Sequence, residues 1–444
     1  EYKRVVDDLY TKYLPAYIVI LGSQDIVPFQ EIDNPAEDED PNVPSDLPYA
    51  CDTTYSSDIN NFTGPSRVVG RIPDKMGKQK DIRFIEKIII NSLKHVSKNA
   101  EEYHNYFSLS ALVWKKSTEL SLQNMFGQAA KMITSPNNKT GKRYKSFTKK
   151  QLEPLTHFYN CHGANFDLSF YGQKEDEYPE AVQSANLSGN IKPGTIVAAE
   201  CCYGGQLFDN EQMSYAEPGI VLNYFANDAI AFLGSSTIAY GPADSQGLAD
   251  LITQYFIKNV LKGASIGRAF LEARQRFLTE AGPDLDPQEL KTIAQFYLLG
   301  DPSIQPVEDK IANIKTLSAG SAIANSRKNL SMKGFTLGAS IGITSKEKTD
   351  SPLKVRMTRS GDITSISIDQ ILANNNFTRV DKTAVYSVQP KLSNMRGMKK
   401  NFGDAKVKFH TYIQNPMEKI KKIRVLIVKE NDAEILGWKV YESK

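Results

Sequence analysis

Two stretches of this chain end an apolar run in a reactive side chain followed by glycine. HFYNCHG places His162 before Gly163, and TIVAAECCYGG places Cys201 and Cys202 ahead of Gly204 and Gly205. A thiol attacks as its thiolate, and a nearby imidazole both favours that form and moves a proton. The pairing therefore points to nucleophilic hydrolysis of an acyl bond. Runs of this kind suit buried strands of a parallel sheet, whose carboxyl ends form the ligand crevice. Glycine behind each reactive residue lets the chain turn sharply and lets backbone N–H groups face a substrate oxygen. The same neighbourhood offers zinc ligands in His157, Cys161, His162, Cys201 and Cys202. Adjacent residues on a strand face opposite ways, however, and no Cys-x-x-Cys or His-x-x-x-His spacing occurs, so no metal or other cofactor is expected. Cys51 and Cys161 are expected to be structural, and His95, His104 and His410 have no motif around them.

Bringing a His and a Cys to one sheet edge requires strands alternating with helices, and the first 300 residues supply them. Strands are expected at 17–21, 67–69, 111–114, 157–160, 195–199 and 229–233, and helical spacing of apolar residues marks 81–96, 250–261 and 266–278. Two polar segments interrupt this pattern. Residues 31–46, acidic and proline-rich, are expected to form an exposed excursion rather than core, and the basic 135–150 a flexible, cleavable loop. Beyond Pro306 the texture turns to short strands, expected at 353–359, 363–368, 384–391, 406–413, 423–428 and 437–441.

The formal charge of +3 conceals an asymmetry. Of 54 Lys+Arg and 51 Asp+Glu, 25 and 14 fall from residue 301 onward, leaving 29 against 37 before it. This break marks a domain boundary near 300–320. Three units are expected: an N-terminal α/β subdomain (1–105), a catalytic subdomain (106–306) and a basic β-rich domain (307–444). The basic balance suits a regulatory protein or acidic partner, nucleic acid, the acidic catalytic region itself, or simply solvent. Four cysteines, two of them adjacent, are no disulfide framework, which favours a reducing, cytoplasmic setting. No apolar run approaches the roughly 18 residues of a membrane span.

The stretch ECCYGGQLF resembles the nucleophile region of legumain. ILGSQDIVP, SDLPYACD, VVGRIPD, AFLGSSTIAYG and FYLLGDPSIQP resemble, in order and spacing, the gingipain family across nearly all of 15–306. The resemblance implies the α/β caspase–hemoglobinase fold, a mostly parallel sheet flanked by helices, and a cysteine endopeptidase with a Cys–His dyad. Legumain, clostripain and metacaspases carry an acid two residues before the nucleophile. That register assigns the role to Cys202, with Glu200 before it, and leaves Cys201 on the opposite side of the strand. The resemblance makes His162 the partner that protonates the leaving amine, and places the oxyanion hole at the N–H groups of Cys202 and Gly163. The resemblance further implies that the β-rich region corresponds to the immunoglobulin-like domain behind gingipain catalytic domains.

Substrates are expected to be proteins or peptides. A buried acid beside the nucleophile selects a basic side chain. Glu200 is one candidate, Glu119 in the loop KKSTELSLQNMF a second, and Asp244 a third. Cleavage after Arg or Lys is expected, with Asn the alternative; cleavage after Asp is disfavoured, since no Arg sits near Cys202. A basic-specific protease must be restrained, so a latent state is expected, relieved by self-cleavage within 135–150. The rival from another class is a catalytically silent, partner-switched scaffold.

Overall fold

The structure, a computed structural model, describes residues 1–138, 140–141, 146–308, 367–388, 407–415, 422–431 and 434–444. Its strands are β1 Ile18–Leu21, β2 Gln30–Asp33, β3 Asn42–Ser45, β4 Val69–Ile72, β5 Tyr106–Ala111, β6 Met132–Ser135, β7 Thr156–Asn160, β8 Ser169–Tyr171 and β9 Glu180–Gln183. They continue with β10 Ile196–Ala199, β11 Ala231–Ser235, β12 Tyr240–Gly241, β13 Phe296–Leu299, β14 Lys382–Val388, β15 Val407–Gln414, β16 Arg424–Glu430 and β17 Ile435–Ser443. The helices are α1 Tyr2–Tyr13, α2 Ile82–Lys94, α3 Ala100–His104, α4 Lys115–Phe126, α5 Ile220–Ala226, α6 Leu248–Leu261, α7 Ile266–Ala281, α8 Pro287–Gln295 and α9 Ile368–Asn374.

Eight strands form one sheet in the order β1-β4-β13-β11-β10-β7-β5-β6, parallel throughout except where β13 runs against β11. The central strands β4, β5, β7, β10, β11 and β13 are buried at every position. Helices cover both faces, which is why β10, β11 and β13 are mostly apolar runs rather than alternating ones, while β4 and β7 bury Arg71, Thr156, His157 and Asn160 as well. Along β10, Ile196 and Ala198 enter one core and Val197 and Ala199 the other. The 1–105 region adds β1 and β4 to this sheet through β13, so its strands extend the same layer.

Three expectations need correction. The strand placed at 111–114 is β5, Tyr106–Ala111, and Leu112–Trp114 is a 3-10 turn. The serines of YFSLSA disguised the strand, yet Ser108 and Ser110 are fully buried. KKSTELSLQNMF is not a loop but α4. Residues 31–46 are an exposed excursion only in part, with Glu31, Asp33, Glu37, Glu39 and Pro41 facing solvent. They form the β2–β3 hairpin, with Ile32, Val43 and Asp40 buried and the Asp38 side chain fully enclosed. Acidic composition signals exposure only where the charge is unpaired. Here Lys291 of α8 meets Asp38 at 2.6 Å and Asp40 at 2.5 Å, and buried Arg71 clamps Asp46 through Nε and Nη2 at 2.9 and 2.6 Å.

The C-terminal region forms an antiparallel sheet, β12-β17-β16-β15-β14, whose first strand comes from residues before 301. Its Phe409, Ile413, Val425, Ile427 and Tyr441 join the main core, while Leu426 and Val428 pack on Ile371 and Phe377. Lys382 pairs with Glu37, Lys429 with Asp284, and Lys439 with Asp286 and Glu289, so basic residues of this sheet meet acids from the first 300 residues. The strand expected at 353–359 lies outside the described residues, as does that at 363–368 apart from its last two positions, where Ile368 opens α9. The last residues of the 384–391 strand lie outside them too.

Candidate active site

His162 follows β7 and is fixed by backbone bonds in both directions to Tyr171, its N–H donating at 2.9 Å and its carbonyl accepting at 2.8 Å. Its ring lies 4.2 Å from the Trp114 ring and 5.1 Å from that of Tyr178. Its Nε2 is 2.7 Å from Gln173 Oε1. Gln173 Nε2 donates to Glu175 O at 2.8 Å, which sets the amide orientation and makes His162 Nε2 the protonated nitrogen. Nδ1 is thereby left with a lone pair, ready to take a proton. Burial pushes the His162 pKa down to about 3 against the opposing Gln173 bond, so the imidazole is neutral.

Cys202 follows β10, and its backbone is pressed against His162's neighbour. A Cβ on Gly163 would come within 1.9 Å of Cys202 O, so only glycine lets the two strand ends meet. The thiol rests on the Ala239 peptide, 3.4 Å from its oxygen and 3.3 Å from its nitrogen, and no hydrogen bond joins it to His162. Burial pushes it up to about 12. Thiol and imidazole are thus both neutral, the resting rather than the ion-pair form. Cys201 occupies the other face, in the core that holds Cys161, and burial raises its thiol well above the ordinary range. All four cysteines are free and buried.

Beside Cys202 lies a buried acidic pocket, and Lys444 fills it. The Cys202 N–H donates to Lys444 O at 2.8 Å. The Lys444 ammonium meets Glu200 Oε2 at 2.8 Å, bonds Asp250 Oδ1, and sits 5.6 Å from the centre of the Trp114 ring. Ser117 Oγ donates to Asp250 at 2.7 Å and Thr253 Oγ1 to Glu200 at 3.1 Å. Gly241 forms the wall along the lysine stem, where a Cβ would stand 2.2 Å from Lys444 Cε. Burial lowers the pKa of Lys444, but Asp250 and Glu200 outweigh it and hold the ammonium above its ordinary value. Burial and then, over the opposition of Lys444, the Asp250 charge drive Glu200 well above the carboxylate range.

The structure does not bring Glu119 or Asp244 to this pocket. Glu119 pairs with Lys115 one helical turn away, at 42 % exposure of its side chain, and Asp244 with Lys116 at 73 %. Among the described residues no His/Cys/Asp/Glu group has the arrangement of a metal site, and no helix is long and apolar enough to cross a membrane.

The sequence model of peptidase family C25 matches residues 1–307. The chain belongs to peptidase family C25. It is therefore a cysteine peptidase of the gingipain family, in the caspase–hemoglobinase clan. A solved structure described as that of a protease is similar at a TM-score of 0.43 and 10% identity, covering 99% of this chain and 87% of the other. No curated protein matches.

In this C25 peptidase, sequence inspection missed Asp250, Gln173, Gly241 and Lys444. Asp250 carried a signal with another meaning: as the third residue of α6 it accepts the Gly247 N–H at 3.1 Å, an ordinary helix-start acid. Its other oxygen faces the pocket.

Proposed function

We propose that this C25 peptidase cleaves after lysine or arginine, with Cys202 as nucleophile and His162 as its proton partner. The observation that carries the proposal is Lys444, whose carbonyl lies on the nucleophile's own N–H while its ammonium lies between Glu200 and Asp250. Two acids around one cation favour a basic side chain over asparagine, because a neutral amide would leave buried charge unpaired. In the reaction the Cys202 thiol rotates from Ala239 and gives its proton to His162 Nδ1. The thiolate adds to the carbonyl carbon, and the developing oxyanion is held by the N–H groups of Cys202 and Gly163. His162 returns the proton to the leaving amine as the C–N bond breaks. Water then attacks the thioester, releasing a carboxylate and the thiol. Gln173 holds the ring in the tautomer this sequence needs.

The test digests a peptide library with the chain carrying Lys444→Ala, which empties the pocket, beside the same chain with Cys202→Ala or Cys201→Ala added. Cleavage after Lys or Arg that is lost with Cys202→Ala and kept with Cys201→Ala is the expected result. Loss with Cys201→Ala alone would move the nucleophile by one residue.

Self-cleavage within 135–150 belongs to the same proposal. Lys139, Lys142, Arg143 and Lys145 lie outside the described residues, whereas Lys149 and Lys150 are exposed. Ser135 at the start of this segment accepts the Gln173 N–H at 3.1 Å, which links a cut there to the residue that orients His162. Mapping fragments of active enzyme beside Cys202→Ala by mass spectrometry tests it; intact chains in both samples refute it.

A further inference from the structure

Lys444 does not enter the pocket alone. It follows β17, which lies along β12 in antiparallel register, Ser443 opposite Tyr240 and Glu442 opposite Gly241. The Lys444 N–H extends the pairing by donating to Ala239 O at 2.8 Å. Three features of a bound peptide therefore coincide in one segment: an extended backbone added to a sheet edge, a carbonyl on the nucleophile's N–H, and a side chain in a buried pocket of opposite charge. The other edge of β17 belongs to β16, with Glu442 opposite Arg424 and the Ser443 N–H donating to Ile423 O at 2.9 Å.

We infer that the C-terminal sheet is a built-in occupant of the substrate cleft: residues 441–444 fill the subsites on the acyl side of the scissile bond, and β17 must leave β12 before a lysine-bearing strand can enter. This rests on the peptidase reading of the same site. It explains why Ala239 O receives both the Lys444 N–H and the Cys202 thiol, which holds the nucleophile on the occupant's edge instead of on His162. It also gives the basic sheet a purpose within the chain. Lys439 reaches Asp286 and Glu289 at 3.0 and 2.7 Å, and Tyr441 Oη donates to Asp286 at 3.1 Å. These contacts dock β17 without touching the pocket.

The experiment measures the rate at which a lysyl acyloxymethyl ketone labels Cys202 in the full chain, as wild type, Lys444→Ala and Lys439→Ala. A tethered occupant acts at about millimolar effective concentration, so one of ~0.1 mM intrinsic affinity slows labelling roughly tenfold. Lys444→Ala is expected to label at least about tenfold faster than wild type, with Lys439→Ala between them. A synthetic peptide of residues 439–444 is expected to restore the block to Lys444→Ala. Equal rates in all three chains would overturn the inference while leaving the peptidase reading intact. Absence of any labelling in folded chains would overturn that reading as well. Hydrogen exchange on wild type covers the case of a variant that does not fold. Once Cys202 carries the ketone adduct, the amides of 440–444 are expected to lose protection, and retained protection in the adduct refutes displacement.

Discussion

Two buried clusters, each of one lysine between two carboxylates, flank β12, and they differ in where their lysine comes from. In one, Lys291 holds Asp38 and Asp40; in the other, Lys444 holds Glu200 and Asp250. Tyr240 belongs to both, its hydroxyl donating to Asp38 at 2.7 Å and its backbone pairing with Ser443. Lys291 sits mid-helix in α8, inside the C25 region, and cannot withdraw without unfolding it. Lys444 arrives on an added strand. The first cluster is a clamp that fixes the substrate-binding edge, since Asp40 also accepts the Ile238 N–H at 2.9 Å and the Tyr203 hydroxyl at 2.7 Å. The second is a receptor for a cation that comes and goes. Their electrostatics agree. Despite burial, Lys291 draws Asp38 below the ordinary carboxylate range, whereas Glu200 is driven above it.

Removing each lysine is the largest test of this contrast. Lys291→Met leaves two carboxylates buried without a cation and is expected to cost about 3–5 kcal/mol of folding stability. Lys444→Met is expected to cost only about 1 kcal/mol, because β17 can move off and let water reach the acids. Urea denaturation of both variants measures the difference, and equal losses would make the Lys444 cluster a second clamp. The next effect in size is catalytic. In the Lys444→Ala background, Glu200→Gln and Asp250→Asn are each expected to lower kcat/KM on a lysyl peptide by about 2–4 kcal/mol in transition-state terms, roughly 30- to 1,000-fold. Asp38→Asn is expected to weaken the fold without changing the preference for lysine over a neutral residue. A preference that survives loss of both pocket acids would refute their role.

The clusters must also answer pH in opposite directions. Asp38 has its folded pKa below the unfolded value, so its contribution is present above the unfolded carboxylate range and is lost as pH falls through the folded pKa. Glu200 has its folded pKa raised, so its contribution is complete below about 4.5 and is lost as pH rises through the folded value. Each slope is at most about 1.4 kcal/mol per pH unit for one group. Denaturation midpoints across pH 3–8 are expected to show a shallower acid arm in Asp38→Asn and a shallower decline above pH 4.5 in Glu200→Gln. Unchanged profiles in both variants would mean that neither acid is perturbed by its surroundings.

The parts of the site legible from sequence were those written in contiguous residues. His162-Gly163 and Cys202-x-Gly204-Gly205 announce themselves because a strand end, a reactive atom and a glycine turn must be neighbours along the chain. The sheet was legible for the same reason, since strands buried on both faces carry mostly apolar runs. Illegible was whatever depends on meetings between distant segments. Nothing in EIDNPAEDED shows that Lys291, some 250 positions later, neutralises it, and composition alone called it exposed. Asp250 looks like a helix start, and Lys444 has no motif around it. Only the pairing of β17 with β12 makes them one pocket.

The smallest expected effect concerns two acids that sequence nominated and the fold moved elsewhere. Glu119 is nominated by the likeness of its segment to a gingipain loop and Asp244 by its place after AFLGSSTIAYG, but α4 turns Glu119 toward Lys115, and Asp244 extends into solvent against Lys116 at 3.5 Å. Exposed pairs of this kind are worth about 0–1 kcal/mol and are screened by salt, so they cannot impose a choice of side chain on a buried pocket. Glu119→Gln and Asp244→Asn are therefore expected to change kcat/KM on lysyl peptides by less than about twofold, within about 0.5 kcal/mol. The pair tests the distinction between proximity in sequence and burial with a partner. Asp244 lies only six residues before Asp250, yet one acid is solvated and the other is enclosed with Glu200, Ser117 and the lysine. A tenfold or larger loss for Asp244→Asn at physiological salt would show that long-range field, not the enclosed carboxylates, selects the substrate cation.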